Sequence, residues 1–208
     1  QLNTIGYRNV AVGYEALKLN TTGSFNAAVG WKALNANTTG AQNIAVGYQA
    51  LLFNTIGVYN VGVGANALLL NTTGLSNTAV GYNALSTNTV GQQNTAVGVK
   101  ALEKNTTAGY NTAVGTNSLR YTTTGVSNTA VGYEALKANI TGKYNTAVGQ
   151  ESLETNTADA NVAVGYYALR VNTTGTRNNA LGYYSMNANT IGQHNTALGS
   201  YTLQANTT

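Results

Sequence analysis

The chain has no cysteine and no proline, one histidine, one methionine and one tryptophan, and only 8% of its 208 residues are charged. Without cysteine there is no disulfide framework and no thiolate metal site. The charge content lies far below the roughly 25% of ordinary globular domains. Disorder is excluded all the same, because 43% of the residues are apolar and they recur at fixed positions. Apolar runs such as Ala67 to Leu70 fall far short of the roughly 20 residues of a membrane span. The net charge of +4 comes from 10 Lys and Arg scattered over several positions, so neither a nucleic-acid partner nor a basic amphipathic membrane helix is expected, and no membrane insertion.

What is present is a repeat. The Asn that opens each N-x-A-V-G-like string recurs at Asn9, Asn26, Asn43, Asn60, Asn77, Asn94, Asn111, Asn128 and Asn145, always 17 residues apart. Asn161 follows after 16, at Thr157-Ala158-Asp159-Ala160, and the period of 17 resumes at Asn178 and Asn195. Residues 1–208 are therefore one array of 12 units without separate domains. With the opening Asn at position 0, a unit reads N-T-A-V-G-Y-x-A-L-x-x-N-T-T-G-x-x. Such self-similarity predicts an all-β solenoid, a β-roll or β-helix of about 12 coils, stacked near 4.8 Å into a rod of roughly 60 Å.

Each position has a predicted task. Positions 1 to 3, as in Thr78-Ala79-Val80, form a short strand. The Val column at position 3 (Val12 to Val164, then Leu181 and Leu198) and the Leu column at position 8 (Leu17 to Leu169, then Met186 and Leu203) are expected to be the core. Glycines at positions 4 and 14 imply two bends that need a positive φ or a close backbone approach. Between them, Tyr14-Glu15-Ala16-Leu17-Lys18 is compatible with a helical turn or with a second strand. Asn at positions 0 and 11, with Thr122 as the exception at 11, can bond above and below while closing its own turn. Position 11 also forms the sequons at Asn20, Asn37, Asn71, Asn105, Asn139, Asn172 and Asn206, which makes glycosylation the rival reading. Asn54, Asn88, Asn156 and Asn189 keep the Asn without the sequon, which favours a need for the amide itself. Val and Leu alone make a thin core, and the missing burial is expected from parallel copies of the chain.

Strings such as Asn77-Thr78-Ala79-Val80-Gly81-Tyr82-Asn83-Ala84-Leu85 resemble the head repeats of YadA-like trimeric autotransporter adhesins and the repeats of phage tail-fibre shafts. The adhesin motif is close to N-S-V-A-I-G, one residue longer than the string here, and it recurs at a shorter period. The resemblance covers the whole chain and implies a trimeric, extracellular β-solenoid fibre.

Catalysis needs unlike groups that converge, whereas a repeat supplies like groups in rows, so no enzyme and no cofactor are expected. His194 takes position 16, where other units place Phe25, Tyr59, Tyr110 or Tyr144, and reads as a surface substituent. Asp159 and Glu154 lack a third ligand for calcium. Position 5 carries Tyr14, Trp31, Tyr48, Tyr82, Tyr133, Tyr166 and Tyr183, but also Ala65, Val99, Thr116, Gln150 and Ser200, so it is at least partly exposed. Three functions follow: a structural segment of an extracellular fibre, from a tail fibre or a cell-surface appendage; an adhesin that binds glycan or matrix through the aromatic row; and an ice-binding surface made by Thr21, Thr38, Thr55, Thr72, Thr89 and Thr106. The expected partners are copies of the chain, by lateral or end-to-end association or as further repeats, and cell-surface glycan.

Overall fold

The computed structural model describes residues 4–207, and within them the chain is an all-β parallel solenoid of about 11 turns. Twelve three-residue strands, β1 (Val10–Val12), β2 (Ala27–Val29), β3 (Ile44–Val46), β4 (Val61–Val63), β5 (Thr78–Val80), β6 (Thr95–Val97), β7 (Thr112–Val114), β8 (Thr129–Val131), β9 (Thr146–Val148), β10 (Val162–Val164), β11 (Asn179–Leu181) and β12 (Thr196–Leu198), form one sheet in chain order. Every pairing is parallel and in register, so Ala79 lies over Ala96 and Val80 over Val97. The short coil preserves this register: Thr146, Ala147 and Val148 pair with Val162, Ala163 and Val164.

The interior differs from expectation at one column. Side chains of a strand alternate between faces, and the strands turn their middle residue inward: Ala28, Ala45, Ala79, Ala96 and Ala113 are fully buried. The position-3 valines point outward, with Val12 57% and Val131 37% exposed. The expectation that Val forms a core column is thus corrected. Coils of 17 residues with four left-handed positions enclose too narrow a space for both a Val and a Leu. That space is filled by Ala at position 2, by small residues at position 7, mostly Ala with Ser at Ser118, Ser152 and Ser185, and by the Leu column. Leu34 to Leu169 and Met186 are fully buried, and only the last member, Leu203, is half exposed.

The segment between the glycine bends is neither helix nor strand. The residues at positions 6 and 8 have positive φ in every coil, as in Asn83 (54°) and Leu85 (52°), and so does position 16, as in Gln93 (54°). Two successive tight turns result, closed by Ala84 N–H to the Gly81 carbonyl (3.3 Å) and by Asn88 N–H to the Leu85 carbonyl (3.3 Å). A left-handed Leu is strained. Burial of its side chain offsets that strain, as does the bond from Leu85 N–H to the Ala101 carbonyl one coil on (2.9 Å). At position 4 only glycine fits: Gly81 has φ +134°, and a Cβ there would lie 2.5 Å from the Gly98 carbonyl oxygen. Where position 14 is glycine the reason is room alone, since its φ is ordinary and a Cβ on Gly74 would meet the Gly91 carbonyl oxygen at 2.5 Å; Ala108 and Ala158 take the position in the two coils beside the breaks of the position-11 ladder.

Asparagine makes the interior bonds. Within one coil, Asn77 Nδ2 (2.8 Å) and Asn88 Nδ2 (3.0 Å) both donate to the Gly91 carbonyl, so the amides bracket the coil across its width. Between coils, Asn88 Nδ2 donates to Asn71 Oδ1 (2.7 Å), and Asn94 N–H donates to Asn77 Oδ1 (3.0 Å). The ladder at position 11 breaks in two places, and each break strands an acceptor. Thr122 offers no amide and donates instead to the Asn139 carbonyl (2.7 Å), which leaves Asn105 Oδ1 buried without a partner. In the short coil Asn156 Nδ2 donates only to the Ala158 carbonyl (2.8 Å), which strands Asn139 Oδ1.

Ala108 holds position 14 in the coil before Thr122, and a Cβ at that position occupies the space of the next coil's amide, so the double change Ala108→Gly/Thr122→Asn rejoins the first break and is expected to stabilise the fold by about 1 kcal/mol, whereas Asn88→Ala, which strands Asn71 Oδ1, costs about 2 kcal/mol. Thermal melts of both variants check the pair; a destabilised double variant would contradict the ladder as drawn.

Candidate functional site

The surface is organised in columns, so each candidate residue is placed by its position in the coil. The sequon residues Asn20, Asn37, Asn71, Asn105, Asn139 and Asn172 are fully buried. Their Nδ2 atoms, which would carry a glycan, donate inside the coil; Asn37, for example, bonds Asn20 Oδ1 and the Gly40 carbonyl, both at 2.8 Å. Asn206, in the last coil, is half-buried and donates to Asn189 Oδ1 (3.2 Å). Around the six buried amides the folded coil leaves no room for a sugar. The row Thr21, Thr38, Thr55, Thr72, Thr89 and Thr106 is half-buried, and each hydroxyl donates to the main-chain carbonyl of the threonine one coil on, as in Thr55 to Thr72 (3.1 Å).

The aromatic row lies on the surface. Tyr14, Trp31, Tyr48, Tyr82, Tyr133 and Tyr183 are exposed and Tyr166 is half-buried. Where neighbours are both aromatic they stack: Trp31 lies 4.9 Å from Tyr48 at 6°, and Tyr166 lies 5.3 Å from Tyr183 at 13°. Ala65, Val99 and Thr116 leave Tyr82 and Tyr133 without such neighbours. Sequence reasoning missed a second aromatic column beside it, Tyr167, Tyr184 and Tyr201 at position 6. Together with Tyr166 and Tyr183 these form a patch of five rings with centroids 4.0 to 5.7 Å apart. The doublets Tyr166-Tyr167 and Tyr183-Tyr184 were the available signal.

Five of the six side-chain carboxylates are ion-paired. Glu15 bonds Lys18 (2.6 Å), Glu103 bonds Arg120 (2.7 Å), Glu134 bonds Lys137 (2.8 Å), and Arg170 bridges Glu151 (2.9 Å) and Glu154 (3.0 Å). The Lys18 ammonium holds the Glu15 carboxyl below its ordinary value. Burial pushes Glu134 upward, but bonds from Lys137, Tyr133 and Asn117 outweigh it and leave the carboxyl lowered. Asp159 is the one carboxylate in no ion pair among the described residues. No three His, Asp or Glu converge as a metal site, and no helix is long and apolar enough to cross a membrane, among those residues. His194 is exposed, and its Nε2 lies 3.2 Å from Arg177 Nη1, which donates to it.

Comparison with models of known families, with curated proteins and with solved structures gives no match to this chain.

In the five-ring patch the neighbouring Tyr167 hydroxyl raises Tyr166, and desolvation raises Tyr183 and Tyr184 above the ordinary 10.0. A tyrosine held protonated in the folded state contributes stability below its unfolded value and loses it as pH rises past that value. Alkaline titration followed by tyrosinate absorbance is expected to show a late-ionising fraction that shrinks in Tyr184→Phe. A single transition at the ordinary value, identical in both proteins, would contradict the coupling.

Proposed function

We propose that this chain is a structural segment of an extracellular fibre, a stiff rod that associates side by side with parallel copies of itself, three by the adhesin resemblance. The observation that carries the reading is the outer face of the sheet. Positions 1 and 3 of all strands point outward, and none of the position-3 residues is buried: Val29 is 38%, Val46 37%, Val148 36% and Leu198 72% exposed. A strip of Val, Thr and Ile that runs the length of the rod is the kind of contiguous apolar surface that marks an interaction site. Only a partner with the same repeat along its axis matches it at every coil, and a second copy of this chain supplies that match. Near its C-terminal end the strip dips into an apolar groove of about 330 Å³ between Val162, Val164, Leu181 and Leu198. The interior itself is filled, so the burial that a thin coil leaves undone lies on this outer strip.

A second reading, adhesion to glycan or matrix through aromatic rings, is favoured by the five-tyrosine patch, in which Tyr183 and Tyr201 are exposed and the other three half-buried, because ring faces open to solvent can stack on sugars. It uses positions 5 and 6, leaves the strip free, and is compatible with the first.

Sedimentation of the chain at micromolar concentration is expected to show an oligomer. The double variant Val97→Glu/Val131→Glu, which places charges on the strip and leaves the interior untouched, is expected to sediment as a monomer with an unchanged circular dichroism spectrum. A monomeric parent chain would refute the lateral association.

A further inference from the structure

The one irregular coil breaks the surface as well as the ladder. The Ala158 carbonyl takes the place of the position-14 carbonyl, accepting from Asn145 Nδ2 and Asn156 Nδ2 (both 2.8 Å), and Ala160 has the left-handed φ (59°) of position 16. The missing residue is therefore the one at position 13. In the coils on either side that position holds Thr141 and Thr174, so the ridge they belong to is interrupted by a notch of about 450 Å³, whose lining includes Lys143, Thr157, Asp159 and Thr176. The same coil has the smallest residue of the position-16 column, Ala160 between Tyr144 and Arg177. This opens a second hollow of about 300 Å³ that shares Asp159 and Thr176 with the first. The two hollows meet at Asp159.

Around these hollows unlike groups converge. Asp159 is exposed and fixed by Lys143 N–H, which donates to Oδ1 (2.8 Å), while Ala160 N–H returns a bond to the Lys143 carbonyl (2.9 Å). The cations on its two sides, Lys143 and Arg177, are exposed and in no ion pair among the described residues; Arg177 Nη1 donates to His194 Nε2 (3.2 Å). The Tyr144 ring, 64% exposed, stands at the rim of the second hollow. We propose that this double notch is a binding site for an acidic saccharide, a chain of hexuronate rings. Hydroxyls of Thr141, Thr174 and Thr176 and the Asp159 carboxylate suit the mixed donors and acceptors of a sugar diol. The Tyr144 ring offers a face for a pyranose ring. Lys143 and Arg177 exceed Asp159 by one positive charge, and a guanidinium pairs with a carboxylate through two parallel bonds. The notch lies at the corner that leads into the strands, with Tyr144 and Arg177 two residues before β9 and β11.

The test is calorimetric titration of the full chain with tetragalacturonate, with the uncharged galactose tetramer and inorganic phosphate as controls. Saturable binding of the uronate is expected, with the neutral tetramer about tenfold weaker or worse, the worth of one charge-assisted contact. Arg177→Gln is expected to weaken the uronate by about tenfold. Insertion of a threonine between Thr157 and Ala158 restores the 17-residue coil, fills the notch and is expected to abolish binding with no loss of melting temperature. Should that variant fail to fold, Tyr144→Ala and Arg177→Gln on the native coil decide instead. No uronate binding, equal binding of the neutral tetramer, phosphate binding as tight as the uronate, or binding unaffected by these changes would each overturn the proposal.

Discussion

Stacking near-identical coils at the strand spacing of about 4.8 Å places every side chain directly over its own copy, and few chemistries tolerate that repetition inside a protein. A column of carboxylates or ammonium groups would repel itself and could not be desolvated. A column of amides can bond itself, since each Asn carries both donors and an acceptor. The low charge content and the invariance of Asn at position 0 follow from this one constraint. Charges stay out of the stacked interior, and the two that are buried, Glu103 and Glu151, meet Arg120 and Arg170 of the next coil.

The same constraint sets the width of the coil. Asn77 and Asn88 reach a common acceptor, the Gly91 carbonyl, so the two walls of a coil stand an amide's reach apart. Between walls so close the interior accommodates Ala, Leu and the amides, and nothing larger. Glycine at position 14 keeps a Cβ out of the amide ladder in the regular coils, and glycine at position 4 is needed because the next coil's carbonyl lies where the Cβ would be. Three further left-handed residues per coil complete the circuit. Each is strained, and the strain is held by inter-coil backbone bonds in a fold with no helix and only three residues of strand per turn.

These dependencies explain what could be seen in the sequence. The solenoid, its period, the strand window and the amide ladders were legible, because repetition at a fixed spacing leaves few folds and Asn is one of the few polar residues that stacks on itself. The Val column was misread: in a three-residue strand either parity fits a window that short, and size suggested Val where the narrow interior demands Ala. The left-handed turns were illegible because Asn83, Leu85 and Gln93 have side chains with no shared preference for positive φ; what places them there is the closure of the coil. For the candidate site, the aromatic row was visible as position 5, but the adjoining column at position 6 was not, since it is occupied by Tyr only in the last three units.

Deviations from the repeat are where chemistry can differ from coil to coil. A regular column offers the same group many times and so can make a ladder, a strip or a stack, but it cannot gather a carboxylate, a guanidinium, an ammonium and hydroxyls around one hollow. Deleting one residue at a corner does so without disturbing the sheet, because β9 and β10 stay in register and the Ala158 carbonyl still closes the amide bracket. The structural cost is one stranded acceptor, Asn139 Oδ1, and the inter-coil backbone bond of Ile140 N–H, the counterpart of Thr123 N–H to the Ile140 carbonyl (3.0 Å). Thr122 strands its counterpart in Asn105 in a coil of normal length, so a stranded acceptor alone opens no hollow. The notch depends on the shortened corner, where the lost residue removes volume from the surface, while Ala160 N–H still bonds the Lys143 carbonyl and Thr157 N–H the Thr173 carbonyl on either side.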